Sequence, residues 1–300
     1  ATNSILASGN FYKIALNTQG LYKIDYNFIK NNLGIEPSNI NPANIRLYGN
    51  GGELLSENNE VVPLDDLVEN AIQVIDGGDG QFNPSDYILF YANGPHTIKK
   101  DSINKGFTHT FNIYSESSYY FLNFDLGIGK RIQNAINPST SNTTVNSFNE
   151  FQFIEKDSSN PGKFGKTWWG DEFSDQPGRY LSRNYNFNIP SIDPTAPVSV
   201  RTRFGAISFS GINLMEITAN GQPLYSSNIN SVGSSYSDPV TNSVDLIENF
   251  SSTSPTINIG IKFTKGSSTA SGYLDFLEIN ARRNLSFKGY LNFADWNTVG

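Results

Sequence analysis

Apolar and polar residues alternate along much of the chain, in short runs separated by turn-forming residues. Residues 11–26 read FYKIALNTQGLYKIDY. Tyr12, Ile14 and Leu16 fall on alternate positions, as do Tyr22, Ile24 and Tyr26. This period of two around NTQG predicts a β-hairpin. DYNFIKNNLG (25–34) predicts a short helix capped by Asp25 and stopped by Gly34. NIRLYG (44–49) predicts a strand, and DDLVENAIQVI (65–75) a helical turn followed by a strand. The continuous apolar run YILFYA (87–92) predicts a buried strand, and FNIYS (111–115) and YYFLNF (119–124) two more.

The pattern changes at NAINPSTSNTTVNS (134–147), which is rich in Asn, Ser and Thr and poor in large apolar residues. It reads as a linker and places a domain boundary near residue 140, between domains 1–140 and 141–300. Strand patterns then dominate: FQFIEK (151–156), RYLSRNYNFNIP (179–190), PVSVRTRFGAIS (197–208), INLMEITANGQPLY (212–225), SVDLIENF (243–250), PTINIGIKFT (255–264) and YLDFLEINARRNLSF (273–287). In the last, Leu274, Phe276 and Glu278 alternate with Asp275, Leu277 and Ile279. Asn220-Gly221 is a two-residue hairpin turn. The predicted fold is mainly β: an N-terminal mixed, β-rich domain with one or two short helices, then a β-sandwich of jelly-roll type.

Composition narrows the function classes. Hydrophobic residues make up 37% and charged residues only 16% of the 300, with Asn, Ser, Thr and Gly filling the difference. That balance favours strands and long loops over helices. The net charge of −7 includes no basic stripe, which argues against a nucleic-acid partner. No apolar run reaches the roughly 18 residues of a transmembrane helix. No signal peptide opens the chain, and ATNSILASGN reads as a mature start or an artificial boundary. The chain has no cysteine, so disulfides, thiolate metal sites and a cysteine nucleophile are excluded. Its two histidines are His96 and His109, and there is no G-x-S-x-G elbow to partner either in a triad.

Three stretches carry candidate chemistry. DGGDGQFNPSD (76–86) offers Asp76, Asp79 and Asp86 to a calcium ion. Aligning Gly80 with the invariant EF-hand glycine puts Asp79 at the fifth position and Asp86 at the twelfth, but Ile75 and Gly77 at the first and third. The competing reading is a tight turn in which Asp-Gly pairs supply the bends and Asp86 caps a backbone N–H. Trp168 and Trp169 are candidate glycan or interface contacts, or core residues. Asp171 and Glu172 beside them suggest a glycosidase pair, yet neighbours on a strand face opposite sides. Asp65, Asp66 and Glu69 read as solvated charge at a helix N-terminus, and Arg282-Arg283 as sandwich-edge cations. No cofactor is expected apart from the calcium alternative.

Several motifs gain meaning from their order. GLYKIDYNFIKNNLG, NIRLYGNGGELL, VPLDDLVENAIQVIDGGDGQFNPSDYILFYANGP and HTFNIYSESSYYFLN follow one another. Together they resemble the front region of the type IX secretion system sortases (PorU-type) of Bacteroidetes, members of the gingipain-like cysteine peptidase family. TWWGDEFS and SGYLDFLEINARRNLSF resemble the β-sandwich that follows in that family. The resemblance runs through most of the chain. It implies a peptidase domain, with Cys and His, C-terminal to these segments, beginning about where DWNTVG ends this sequence. With no Cys and no His in a matching motif, no catalytic residue is carried over, and the chain itself is expected not to be an enzyme. The implied role is a non-catalytic scaffold or interaction region of a surface sortase that removes C-terminal sorting domains from secreted cargo. Its own peptidase domain and other secretion-system surface proteins are the implied partners. The implied location is exported, at the outer-membrane surface or extracellular. The residues alone leave a carbohydrate-binding sandwich, touching surface glycan through Trp168 and Trp169, as the alternative.

Overall fold

The computed structural model describes residues 3–135, 143–163, 165–233, 235, 238–287, 291 and 293–296. Strand accounts for 44% and helix for 6%, so the fold is mainly β. The chain forms two compact units, one of Ala1–Ile98 and Thr110–Ser139, the other of Lys99–His109 and Thr140–Gly300. The boundary near residue 140 therefore misses one excursion: residues 99–109 belong with the second unit. The central part of the predicted linker, 136–142, lies outside the described residues. Among the described residues no helix is long and apolar enough to cross a membrane.

In chain order the strands begin with β1 (Phe11–Leu16) and β2 (Gly20–Asp25), followed by helix α1 (Tyr26–Asn32). Next come β3 (Arg46–Tyr48), β4 (Glu69–Asn70), β5 (Gln73–Ile75) and β6 (Tyr87–Ala92). A hairpin of β7 (Thr97–Asp101) and β8 (Gly106–Thr110) precedes β9 (Ser118–Asn123). Two antiparallel sheets build the first unit, in orders β1-β9-β3-β4 and β2-β6-β5. Leu16, Ile24, Ile29, Leu47, Phe90 and Leu122 meet in its core. The alternation that predicts a β1–β2 hairpin is present, but the strands do not pair. β1 pairs with β9 and β2 with β6, because residues 17–19 carry the chain from one sheet to the other. Helix α1 forms as its caps dictate: the Asp25 carboxylate accepts the Phe28 N–H at 2.9 Å, and Gly34 sits at φ +69°.

Two local predictions are overturned. Residues 65–68 form no helical turn. Asp66 instead accepts the N–H groups of Ile5 (2.5 Å) and Leu67 (2.8 Å), and Glu69 accepts the Lys130 N–H at 2.7 Å. FNIYS is not a strand, because Asn112 Oδ1 accepts the Tyr114 and Ser115 N–H groups and folds the segment into a turn.

The second unit is a sandwich of long strands: β10 (Ser147–Glu155), β12 (Ser182–Asn188), β13 (Val198–Ile207), β14 (Ile212–Ala219), β15 (Gln222–Asn230), β16 (Asn242–Phe250), β17 (Thr256–Thr264) and β18 (Ser271–Asn284). The short β11 (Glu172–Phe173) pairs with β18. One sheet runs β10-β18-β13-β16 and the other β12-β17-β14-β15. Ranked in chain order, the eight long strands give 1-8-3-6 against 2-7-4-5, a jelly-roll connectivity. Phe173, Phe204, Phe263, Leu277, Ile259 and Ile279 fill the space between the sheets. Asn220 and Gly221 both take positive φ, 50° and 79°, and turn β14 into β15. The strict alternation read in β18 breaks at a bulge opposite Arg203/Phe204. Leu274, Leu277 and Ile279 consequently point to the core, and Phe276 and Glu278 fall on the opposite face.

Candidate functional site

The outer face of the β10-β18-β13 sheet carries an unusual row of side chains. Directly paired residues on antiparallel strands share a face. Phe151 faces with Asn280, Phe153 with Glu278, and Glu155 with Phe276. Arg201 pairs with Glu278 and Arg203 with Phe276 from the other side. Aromatic and charged groups side by side on one face need a cover, and residues 99–109 supply it within the second unit.

The cover is held by side chains that imitate a strand partner. Asn280 Oδ1 accepts the Phe107 N–H at 2.7 Å, and its Nδ2 donates to the Phe107 carbonyl at 2.9 Å. Glu278 Oε1 accepts from the His109 N–H (2.8 Å), the Thr108 hydroxyl (2.7 Å) and His109 Nδ1 (2.6 Å). His109 Nε2 meets Glu155 Oε2 in a short contact. The imidazole is 2% exposed, stacks on Phe153 at 4.0 Å and meets Phe276 edge-on at 5.2 Å. Gly106 lies so close to Asn280 that a Cβ there would stand 2.8 Å from its Oδ1.

Electrostatics follow from burial and pairing. Burial alone would lower the His109 pKa, but Glu155 and Glu278 raise it to about 9. Burial alone would raise Glu278, but hydrogen bonds from His109 and Thr108 hold it below the usual range. Arg201 binds Asp245 through two bonds (2.8 and 2.7 Å) and donates to Thr108 Oγ1 at 3.1 Å. Its Nη1 also reaches Glu278 Oε2 at 3.4 Å.

Beside this bridge, Glu155, Asp157 and Asp275 bring carboxylate oxygens within 4.8 Å of one another. Burial, then the neighbouring Glu155 charge, pushes Asp157 up to about 6, and its Oδ2 is buried without a partner. Burial pushes Asp275 up to about 7 although Arg203 bonds it at 2.7 Å. An oxygen-only set of this kind suits a hard divalent cation better than zinc.

The sequence candidates fall elsewhere. Asp76, Asp79 and Asp86 are not brought together as a ligand group. Asp76 accepts the Gly78 N–H, Asp79 the Gln81 N–H and the Asn83 amide, and Asp86 the Asn83 N–H at 2.7 Å. Gly77, Gly78 and Gly80 all take positive φ, as a tight turn requires. Trp169 is buried: a Cβ on Gly205 would stand 2.4 Å from its ring, and Arg203 lies over it at 5.8 Å. Trp168 is 37% exposed. A surface cavity of about 480 Å³ touches Lys166, Thr167, Trp169, Arg203 and Thr241. Asp171 accepts the Tyr185 hydroxyl at 2.9 Å, and Glu172 accepts from Ser174 and Arg179. His96 stacks on Phe111 at 3.8 Å and accepts the Asn112 N–H, which fixes its Nδ1 as unprotonated.

Sequence reasoning passed over Glu155, Glu278, Arg201 and Arg203. Their one signal was position: in FQFIEK, Phe151 and Phe153 share a face with Glu155, as a covered outer face demands.

Neither a protein-family model nor a curated protein matches the sequence. Among solved structures the correspondence is of another kind. The whole chain superposes on part of PorU. Dimeric latent PorU from Porphyromonas gingivalis is matched over 100% of this chain and 27% of that chain, with a TM-score of 0.77 at 20% identity. The chain thus spans about a quarter of the length of PorU, and shares the fold of that part. A CBM36 carbohydrate-binding module in complex with calcium and xylotriose matches 43% of this chain and 98% of its own, at a TM-score of 0.24 and 15% identity. The delta-endotoxin Cry8Ea1 from Bacillus thuringiensis matches 82% of this chain and 42% of its own, at 0.29 and 12%. At such scores neither of these two likenesses carries an argument.

Proposed function

We propose that this chain is a non-catalytic scaffold and interaction region of a PorU-like sortase at the cell surface. The observation that carries the reading is the match of the entire chain, both units included, to 27% of PorU. The absence of cysteine from the sequence supports it, because a gingipain-like peptidase needs that nucleophile. The use of His109 supports it as well. A base whose two ring nitrogens are occupied by glutamates, and whose side chain is 2% exposed, has no free face for a substrate. The region's role is then to fold, to hold a peptidase domain and to dock surface partners. Supplied with peptides spanning a sorting-domain junction, the isolated chain is expected to give no turnover above buffer. Turnover that survives purification and tracks with this chain would refute the reading.

A further inference from the structure

The cavity of about 480 Å³ beside Trp169 lies wholly within the second unit, on the outer face of β13 and β16. Gly205 of β13 pairs with Ser243 of β16, so the two share that face. Trp169 lies against the glycine, where a Cβ would stand 2.4 Å from its ring. Its backbone is locked in place: the N–H donates to the Ser159 carbonyl at 2.7 Å, and the carbonyl accepts the Ser159 N–H at 2.8 Å. Arg203 lies over the ring and gives Nη1 to Asp275 at 2.7 Å. Asp245, opposite Arg203 on β16, has both oxygens on Arg201. Among the described residues, Arg203 Nε and Nη2 and the hydroxyls of Thr167, Thr241 and Ser243 hold no hydrogen bond. None of these four residues is buried. We propose that this cavity binds an acidic sugar, whose anionic group sits on the Arg203 fork and whose hydroxyls meet Thr167, Thr241 and Ser243.

The lining selects the ligand. Its volume falls in the range of small-molecule sites and suits a ligand of sugar size. Nε and Nη2 form the donor edge of a guanidinium that matches a carboxylate or a phosphate. Arg201 uses that same edge, two strands' width from solvent competition, to hold Asp245 at 2.8 and 2.7 Å. Lys166 adds a second cation, and no carboxylate belongs to the described lining. Anions are thereby favoured over amines. Hydroxyls both donate and accept, which is what sugar hydroxyls require of a partner. Pro239 and Val240 give an apolar wall for the C–H groups of a ring. Trp169 is 2% exposed and Arg203 covers its ring, so a flat base has no face to stack on, which argues against a nucleotide. The cavity stands on these residues whatever the role of the longer chain.

Heteronuclear NMR titration of the full chain tests the site, with D-glucuronate, glucose 6-phosphate, neutral glucose and inorganic phosphate as probes. Saturable shifts are expected at 165–169 and 239–243 with at least one of the two anionic sugars, at a Kd on the order of 1 mM for a ligand of this size. Binding of glucuronate alone supports the proposal with a carboxylate as the anion, binding of glucose 6-phosphate alone supports it with a phosphate, and binding of both supports it with either. Glucose is expected to bind about tenfold or more weakly, having no group for the fork. Glucose or inorganic phosphate binding as tightly as the anionic sugars, or no shift in these segments with either sugar, would overturn the proposal. Arg203→Lys keeps the charge but removes the fork, and is expected to weaken the bound sugar by about fivefold or more; unchanged affinity would also overturn it. Should that variant not fold, Thr241→Val combined with Ser243→Ala decides in its place. Loss of those two hydroxyls is expected to weaken binding by about threefold or more, and unchanged affinity would count against the site.

Discussion

At the scale of single residues, stability in the second unit depends on who holds protons. His109 binds its proton more tightly when folded, at about 9 against an ordinary 6.5. Its contribution is therefore complete below about pH 6.5 and is lost as pH rises through about 9. The difference is on the order of 3 kcal/mol. Asp157 and Asp275, raised to about 6 and about 7, act with the same sign at lower pH. Their folded forms favour protonation, so they remove stability as pH climbs from the ordinary carboxylate range through those values. Urea unfolding of the second unit should show a midpoint that declines from mildly acidic to alkaline pH; a midpoint that rises over that range would contradict this ordering. Gly205 makes a second test. A methyl group there would stand 2.4 Å from the Trp169 ring, so Gly205→Ala should cost about 1–3 kcal/mol by thermal or urea unfolding.

At the scale of elements, local signals succeeded where the chain closes its own hydrogen bonds. The Asp25 cap, the Asn220-Gly221 turn and the Asp86 turn were all legible because their partners lie within four residues. Asp25→Ala should accordingly destabilise the first unit by about 1 kcal/mol in urea. Asp86→Ala should lower its melting temperature equally in calcium and in chelator, since the carboxylate serves the Asn83 N–H. A calcium-dependent difference would restore the metal reading of Asp76, Asp79 and Asp86. The β-sandwich was legible for a related reason: eight long strands repeat one alternation between turn residues. Pairing across distance was not legible. The segments FYKIAL and LYKIDY are alike in pattern, and nothing in that pattern says that β9 and β6 claim them separately. The His109 bridge joins positions 46 and 169 residues apart, and the bulge that turns Glu278 outward leaves no mark in a reading of strict alternation.

At the scale of the whole molecule, the second unit is not a contiguous stretch of chain, since it includes 99–109 as well as 140–300. A fragment beginning near residue 140 would lack the cover formed by residues 99–109 and leave Phe151 and Phe153 uncovered on the sheet. That fragment should melt several degrees below the same unit in the full chain, the order expected for a loss of about 1–3 kcal/mol. Equal melting would mean that residues 99–109 contribute nothing. The larger claim is the proposed scaffold role of both units in a longer, PorU-like surface protein. It is tested most directly by deleting this region in frame from a sortase that contains it, keeping the peptidase domain, and following secreted cargo by mass spectrometry. The expected result is cargo that accumulates with its C-terminal sorting domain still attached, although the peptidase is produced in normal amount. Cargo trimmed at the usual rate and position would contradict the scaffold role.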